Sequence, residues 1–559
     1  MIKIIPLFGF VAILFSFTLF AQTQNGAIEG TIEDAEGRAV PGVIITASSP
    51  SLIGRTTTTY TDRTGYYRFP TLSSGSYSVQ AELAGFQTMI RKDVRLFVGT
   101  TLTVSFTLEI IKVKEEVEVT EKPPLIDVST TAVAFTIPPK VVENLPRVER
   151  IQDLIALTPG VSDDFGGKPI DNLVAYGAIG EVANSYWIDG VNVSSPRRGD
   201  LTMSYSQNWI DQVHVTGIGA PAEYGGFTGV VANFVTRSGG PQFHGLFDTF
   251  FQNQNLTWTN VPDPGPKTPF KTYDLNAQLG GPVLRDKLWF FSGLEYPNTQ
   301  TPTPGTDQLT TDIYRKLITK LTYKWDNNNT LQGFGIWDSH SFERTGSTPT
   351  ATPEANYAKN ENPQWNWNAT WISLLSPQTS FEVRLSGFND HSRDIENNPD
   401  LSPHYDSGTG IGSVNSWSRL ERKESRLQLN AVLSHHARNF IHGSHDFRFG
   451  VEFERSLFFY NYQYNGNYRY TDYFGAPQSR AYGGNYIIED TNHRVSSYAE
   501  DEWSVTDRFK LSLGVRWDDN RGYAVEKGLV FKNDPVAPRI GFIWVLDKEN
   551  QTVIKAHYG

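Results

Sequence analysis

The chain has no cysteine among its 559 residues. That excludes disulfides, thiolate metal sites, a thiol nucleophile and a lipid-modified cysteine. Basic charge is in deficit: 49 Lys and Arg against 60 Asp and Glu give a net charge of -11. A nucleic-acid partner, which calls for a basic face, is not expected. After residue 20 no apolar run is long enough for a membrane helix. No phosphate-loop motif, no His-Glu-x-x-His and no Gly-x-Ser-x-Gly occurs. Energy would have to come from a source other than a nucleotide bound here, and the expectation is no enzyme and no cofactor.

What is present begins with an export signal. Lys3 precedes an apolar run from Ile4 to Phe20, closed by Ala21 and the polar Gln22-Thr-Gln-Asn25. Residues 1–21 read as a secretory signal peptide, with an uncleaved anchor helix as the alternative.

Residues 240–559 read as a ladder of amphipathic strands. Phe509, Leu511, Leu513, Val515 and Trp517 alternate with Lys510, Ser512, Gly514 and Arg516. Phe447, Phe449, Val451 and Phe453 alternate with Arg448, Gly450, Glu452 and Glu454, and Phe381, Val383 and Leu385 with Glu382, Arg384 and Ser386. Period two over many strands behind an export signal implies a transmembrane antiparallel β-barrel, lipid outside and water inside. Aromatics at 13% suit interfacial girdles or a large β core.

Between signal and barrel lie three segments. Residues 26–109 carry short alternating runs (Ile28–Ile32, Val43–Thr46, Tyr77–Ala81, Leu102–Leu108) separated by Asp34-Ala-Glu-Gly37, Pro41-Gly42, Asp62-Arg-Thr-Gly65 and Ser74-Gly75. That pattern predicts a sandwich of about seven strands. Residues 110–124 form a charged linker in which Val117 and Val119 alternate with Glu116, Glu118 and Thr120 before Pro123-Pro124. An exposed extended segment of this kind can add as an edge strand to a partner's sheet. In residues 125–239, Ile151, Leu154, Ile155 and Leu157 have helical spacing ended by Pro159-Gly160, and Asp189-Gly190 predicts a tight hairpin.

These segments resemble a known family. Gly37...Val40-Pro-Gly-Val43...Thr61-Asp-Arg-Thr-Gly-Tyr-Tyr-Arg-Phe69...Gly75-Ser-Tyr77...Ala84-Gly-Phe86 resembles the carboxypeptidase regulatory-like domain, a carbohydrate-binding-like sandwich. No metal-ligand spacing accompanies it, and it reads as a periplasmic spacer, with partner or glycan contact as the alternative. Glu116-Val-Glu-Val-Thr120 is similar to the TonB box of TonB-dependent receptors. Asp153-Leu-Ile-Ala-Leu-Thr-Pro-Gly-Val161, Tyr186-Trp-Ile-Asp-Gly-Val-Asn192, Ala222-Glu-Tyr-Gly-Gly226 and Gly229–Gly239 resemble the α+β plug of that family. Leu279–Phe291, Tyr498–Trp503, Leu513–Asp518 and Pro538–Gly541 resemble its barrel in the Oar-like subgroup.

The resemblance implies an all-β dominated outer-membrane receptor that binds an extracellular ligand (a siderophore, oligosaccharide or peptide) and imports it with energy passed on by TonB, ExbB and ExbD. A surface-binding or adhesion protein anchored by its barrel is the alternative. Residues 240–559 supply about 14 strands at roughly ten residues each plus turns. Plugged transporters use about 22 strands, so the expectation is a C-terminally incomplete barrel. For ligand contact the candidates are Tyr462, Tyr464, Tyr468, Tyr470, Tyr473, Tyr482 and Tyr486, in a stretch rich in Tyr, Asn and Gly. His435, His436, His442 and His445 cluster near a turn and read as a solvated loop rather than a metal site.

Overall fold

A computed structural model describes residues 25–110, 117–118, 130–145, 151–163, 173–178, 183–258, 270–302, 309–344, 350–506, 508–547 and 552–559. The expected export signal, residues 1–21, lies outside them. The fold is strand-dominated throughout, and among the described residues no helix is long and apolar enough to cross a membrane.

The N-terminal sandwich packs two sheets over a core of Ile28, Ile32, Val43, Ile45, Tyr67, Phe69, Tyr77, Val79 and Phe106. One sheet holds Gly26–Asp34, Tyr66–Leu72, Thr101–Thr103 and Phe106–Leu108; the other holds Thr56–Tyr60, Ile44–Ser48, Gly75–Glu82, Met89–Leu96 and Val117–Glu118. The run Leu102–Leu108, expected as one strand, is two. The Val104 carbonyl turns toward Gly30, where a Cβ would come within 2.0 Å of it, and accepts the Tyr67 hydroxyl. That close approach breaks the ladder between Thr103 and Phe106 and requires glycine at position 30.

The inner domain, residues 130–237, is built on a five-stranded sheet in the order Ala134–Ile137, Ile210–Thr216, Val231–Thr236, Ser185–Ile188, Val191–Asn192. Every residue of Val231–Thr236 is buried, as a strand covered on both faces requires. The helical spacing at Ile151–Leu157 folds as a 3-10 helix that buries Ile151, Leu154 and Ile155. Asp189 and Gly190 have φ of 45° and 71°, the two left-handed residues of a type I′ hairpin, joining Ile188 to Val191.

The third unit is a 14-stranded antiparallel sheet from His244–Asn253 to Val553–Tyr558, each long strand beside its sequence neighbour. Alternation runs opposite to that of a soluble protein. Leu513, Val515 and Trp517 are exposed while Arg516 is buried, and Phe449 and Phe453 are exposed while Glu452 and Glu454 are buried. Apolar side chains face lipid and charged ones face inward. Strands reach 21 residues, twice what a membrane needs, so their ends stand clear of it.

The sheet wraps the inner domain. Phe291, Ile318, Phe334 and Ile336 of the wall share one core with Ile155, Trp209 and Val213 of the inner domain, and Lys555 Nζ reaches Thr130 O at 2.8 Å. Short turns such as 376–379 and 438–444 lie at the end carrying the sandwich; the long loops lie at the other.

Candidate functional site at the seam between inner domain and barrel

Between the inner domain and the wall runs a seam of inward-facing cations, each on an alternating barrel strand. Lys320 Nζ lies 2.9 Å from Asp189 Oδ2 and donates to Thr236 O at 3.1 Å. Arg384 is fully buried, pairs with Glu382 and donates to Gly190 O at 2.6 Å. Gln428 Nε2 and Arg426 Nη1 both donate to Asn192 O, at 2.8 and 3.3 Å. These groups hold the Asp189-Gly190 hairpin.

A second group holds the loop at Ala220–Tyr224. Arg516 donates to Glu223 O at 2.9 Å while its other nitrogen pairs with Glu452 at 2.6 Å. Arg539 donates to Ala220 O at 2.8 Å and Tyr224 O at 2.6 Å. Arg448 bridges Glu223 of the loop and Glu500 of the wall. The glycines after Tyr224 have a wall-side reason: a Cβ on Gly225 would lie 2.5 Å from Arg516 Nε.

Two kinds of contact alternate along the seam. For Arg384, Arg426 and Arg516 a barrel carboxylate neutralises the arginine, whose remaining N–H groups donate to inner-domain backbone carbonyls, whereas Lys320 and Arg448 pair with the inner-domain carboxylates of Asp189 and Glu223. Such bonds are strong when dry, yet water can replace each of them. A seam of this kind holds a folded domain in place and can be parted, which a purely apolar interface resists. The alternation pattern exposed Arg384, Arg448, Glu452, Glu454 and Arg516 as inward-facing; their partners carried no sequence signal.

At the loop end the predicted tyrosines separate into two groups. Tyr462 and Tyr486 stack at 5.2 Å, and Tyr464 meets Tyr462 edge-on at 5.2 Å. Tyr460, missed in the sequence reading, joins them at 5.8 Å from Tyr486. Its signal was the period-two run Phe458, Tyr460, Tyr462, Tyr464 on an inward face. Arg197 of the inner domain lies over Phe458 at 4.6 Å, and Ser195 Oγ donates to Glu424 at 2.6 Å. Inner-domain apex and aromatic wall therefore meet at the mouth. Tyr468, Tyr470, Tyr473 and Tyr482 instead lie on the hairpin Tyr468–Tyr473 and Ala476–Tyr482, in a separate four-stranded loop sheet. There Tyr470 stacks on His404 at 4.7 Å.

At the opposite end His436 and His445 correct the expectation of a solvated loop, while His435 and His442 are exposed as expected. His436 is buried between sandwich and barrel: its Nε2 lies 2.9 Å from the Tyr66 hydroxyl and its Nδ1 2.9 Å from Asp446. His445 is buried elsewhere, on Asp501 at 2.7 Å and stacked on Trp503, while His435 meets Thr379. Arg68 of the sandwich pairs with Glu29 and reaches Asp446 at 2.8 Å; Arg438 covers the Tyr66 ring at 4.0 Å. Burial opposes the Arg68 charge, but Asp446 and Glu29 outweigh it and raise its pKa. Burial, with Glu29 beside it, also pushes the Tyr66 phenol up. Of the proposed TonB box, Glu116, Val119 and Thr120 lie outside the described residues; the backbone of Val117 and Glu118 pairs in parallel with Met89 and Ile90.

Comparison with known proteins gives three family matches: "Carboxypeptidase regulatory-like domain" at residues 27–109, "Outer membrane beta barrel domain" at 235–316, and "TonB dependent receptor-like, beta-barrel" at 304–559. The chain is 30% identical over 311 residues to the TonB-dependent transporter Oar of Myxococcus xanthus, covering 52% of this chain and 28% of Oar. The chain thus spans less than a third of that relative. Its fold is similar to the outer membrane transporter YddB from Escherichia coli (TM-score 0.59, 15% identity, 76% of this chain and 60% of that one). It is also similar to the ferripyoverdine receptor of Pseudomonas aeruginosa (TM-score 0.57, 15% identity, 77% and 56%). The chain therefore carries a carboxypeptidase regulatory-like domain at residues 27–109 and, across 235–559, an outer-membrane β-barrel domain whose larger part, 304–559, is TonB-dependent-receptor-like.

Proposed function

We propose that the protein is an energised outer-membrane transporter in which the inner domain is the plug. It binds an extracellular ligand at the loop end and imports it with energy passed on by TonB, ExbB and ExbD through Glu116–Thr120. The carrying observation is the seam: a folded domain seated in the barrel by cations aimed at its backbone carbonyls, bonds that water can replace as the domain moves. Ligand contact is assigned to Tyr460, Tyr462, Tyr464 and Tyr486 with Arg197, where apex and wall meet. The reading gives the chain no catalytic step.

The test replaces Val117 and Val119 by proline in the native full-length protein. Proline removes the N–H groups that β-pairing with TonB needs. Uptake is followed for the nutrient whose use distinguishes a deletion strain from its parent. The expected result is retained surface binding with uptake lost. Unchanged uptake would refute energised transport through this segment and leave the barrel-anchored adhesion protein.

A further inference from the structure

A cavity of about 320 Å³ opens at the loop end of the barrel, between the end of strand Thr379–Glu396 and the turn that follows strand Ser444–Tyr464. Among the described residues two carboxylates, Glu396 and Asp400, and one guanidinium, Arg419, line it beside Tyr464, Asn467 and Asn485. Its walls are pinned. Asn485 Oδ1 accepts Tyr464 N–H at 2.8 Å, and Asn465, 4% exposed, donates to Ser416 O at 2.8 Å. The Glu396 side chain is 7% exposed, yet among the described residues its carboxylate accepts no hydrogen bond. Arg419 Nη1 stands 3.6 Å away, beyond hydrogen-bond reach, while Nη2 donates to Gln463. A nearly enclosed carboxylate without a donor is costly, and a cation brought from outside relieves it.

From the cavity a stripe of carboxylates runs toward the inner domain. Asp390, Asp394 and Glu396 share the inward face of Thr379–Glu396. Asp390 lies at the inner-domain apex: Gln364 Nε2 donates to it at 3.1 Å and to Thr202 O at 2.7 Å. Register sets Glu295, Lys316, Asp338, Gln364, Asp390 and Glu424 opposite one another across six strands. Four carboxylates in that row share one lysine, and Arg422 reaches two of them at 3.5 and 3.7 Å. Such a lining focuses a negative field and favours the passage of cations. We propose that the cavity at Glu396 binds a lysine or arginine side chain of a basic peptide, the ligand class of this receptor, and that Asp394 and Asp390 continue the path inward. The proposal rests on the loop end being where ligand enters. Tyr464, edge-on to Tyr462, offers the same cation an aromatic face. A neutral sugar would leave Glu396 without a counterion, and an anionic ligand would be repelled.

The test measures binding of a fluorescent lysine tetrapeptide to the native full-length protein in detergent, by anisotropy at physiological ionic strength, where distant surface charge is screened. Serine and glutamate tetrapeptides are the controls. The lysine peptide should bind, and both controls should bind at least ten-fold more weakly. Glu396→Gln should lower affinity for the lysine peptide on the order of ten-fold. Asp534→Asn removes the same charge from an exposed turn and should leave affinity unchanged. Arg419→Gln removes the cation that competes for Glu396 and should tighten binding several-fold, a gain that misfolding does not produce. No binding of the lysine peptide, or equal binding of the serine peptide, overturns the cationic class. An equal loss in Glu396→Gln and Asp534→Asn reduces the effect to net charge and overturns the site, as does weaker binding in Arg419→Gln. Uptake judges the transporter separately: specific binding of the lysine peptide without its uptake by energised cells refutes transport and leaves the site standing.

Discussion

Lys320→Met removes the cation that faces Asp189 across the seam. Asp189 is 2% exposed and also accepts Thr236 N–H at 2.9 Å, so its carboxylate cannot turn to solvent. Lys320 Nζ sits on Asp189, Thr236 O and Thr236 Oγ1 at 2.9, 3.1 and 3.0 Å. Methionine keeps the length of the side chain and deletes all three contacts. Breaking a buried pair from one side costs about 3–5 kcal/mol, because a charge is left without a counterion. With a tenfold change for every ~1.4 kcal/mol, opening of the seam should become more frequent by roughly two to three and a half orders of magnitude. The readout is amide hydrogen exchange in Val231–Thr236, which reports seating of the inner domain rather than melting of the barrel. Adding Asp189→Asn removes the stranded charge, and asparagine tolerates the left-handed backbone of that position. The double variant should recover most of the lost protection. Protection within about five-fold of wild type in Lys320→Met alone, roughly 1 kcal/mol, would refute the view that the pair holds the hairpin.

Other substitutions test other levels of the structure. Gly225→Val places a Cβ at 2.5 Å from Arg516 Nε, so the loop at Ala220–Tyr224 should detach at a cost of about 1–3 kcal/mol, seen as faster exchange there while the strands of the wall stay protected. Val515→Arg puts charge on the lipid face, where Val515 is 44% exposed. Folding into bilayers should weaken by up to about 2–4 kcal/mol, whereas Val515→Leu leaves the denaturant midpoint unchanged. Arg438→Ala removes the cover on Tyr66 and the bond to Thr64. Tryptic cleavage between sandwich and inner domain should quicken several-fold; an unchanged rate means that this contact does not hold the sandwich.

Much of the architecture was legible because membrane and water impose their own periodicity on a strand. Alternation at Phe509–Trp517 already placed Arg516 on the opposite face from Val515, and the structure exposes one while burying the other. Asp189-Gly190 announced its hairpin because few residues accept positive φ at both central positions. Helical spacing at Ile151–Leu157 identified Ile151, Leu154 and Ile155 as buried, but the turn closed as a 3-10 helix that leaves Leu157 exposed. His436 misled because a turn rich in polar residues reads as solvated until another domain lands on it, and His445 because a turn and a neighbouring strand of the barrel cover it with Phe440 and Trp503. The tyrosines of Asn461–Tyr486 looked alike in sequence; strand direction put three at the mouth and four on a separate hairpin.

Local order, then, was the sequence's own determination: which residues form strands, which face each side chain takes, and where the chain reverses. Those properties depend on neighbours two to four positions away, and short-range sterics and solvent contrast decide them. Tertiary structure alone decided the partners. Arg384 meets Gly190 across 194 positions and Arg516 meets Glu223 across 293. Tyr66 meets His436 across 370. Contacts at such separations depend on how a wrapped sheet brings distant strands onto one inner domain, and no local pattern encodes which carbonyl an inward-facing arginine will find.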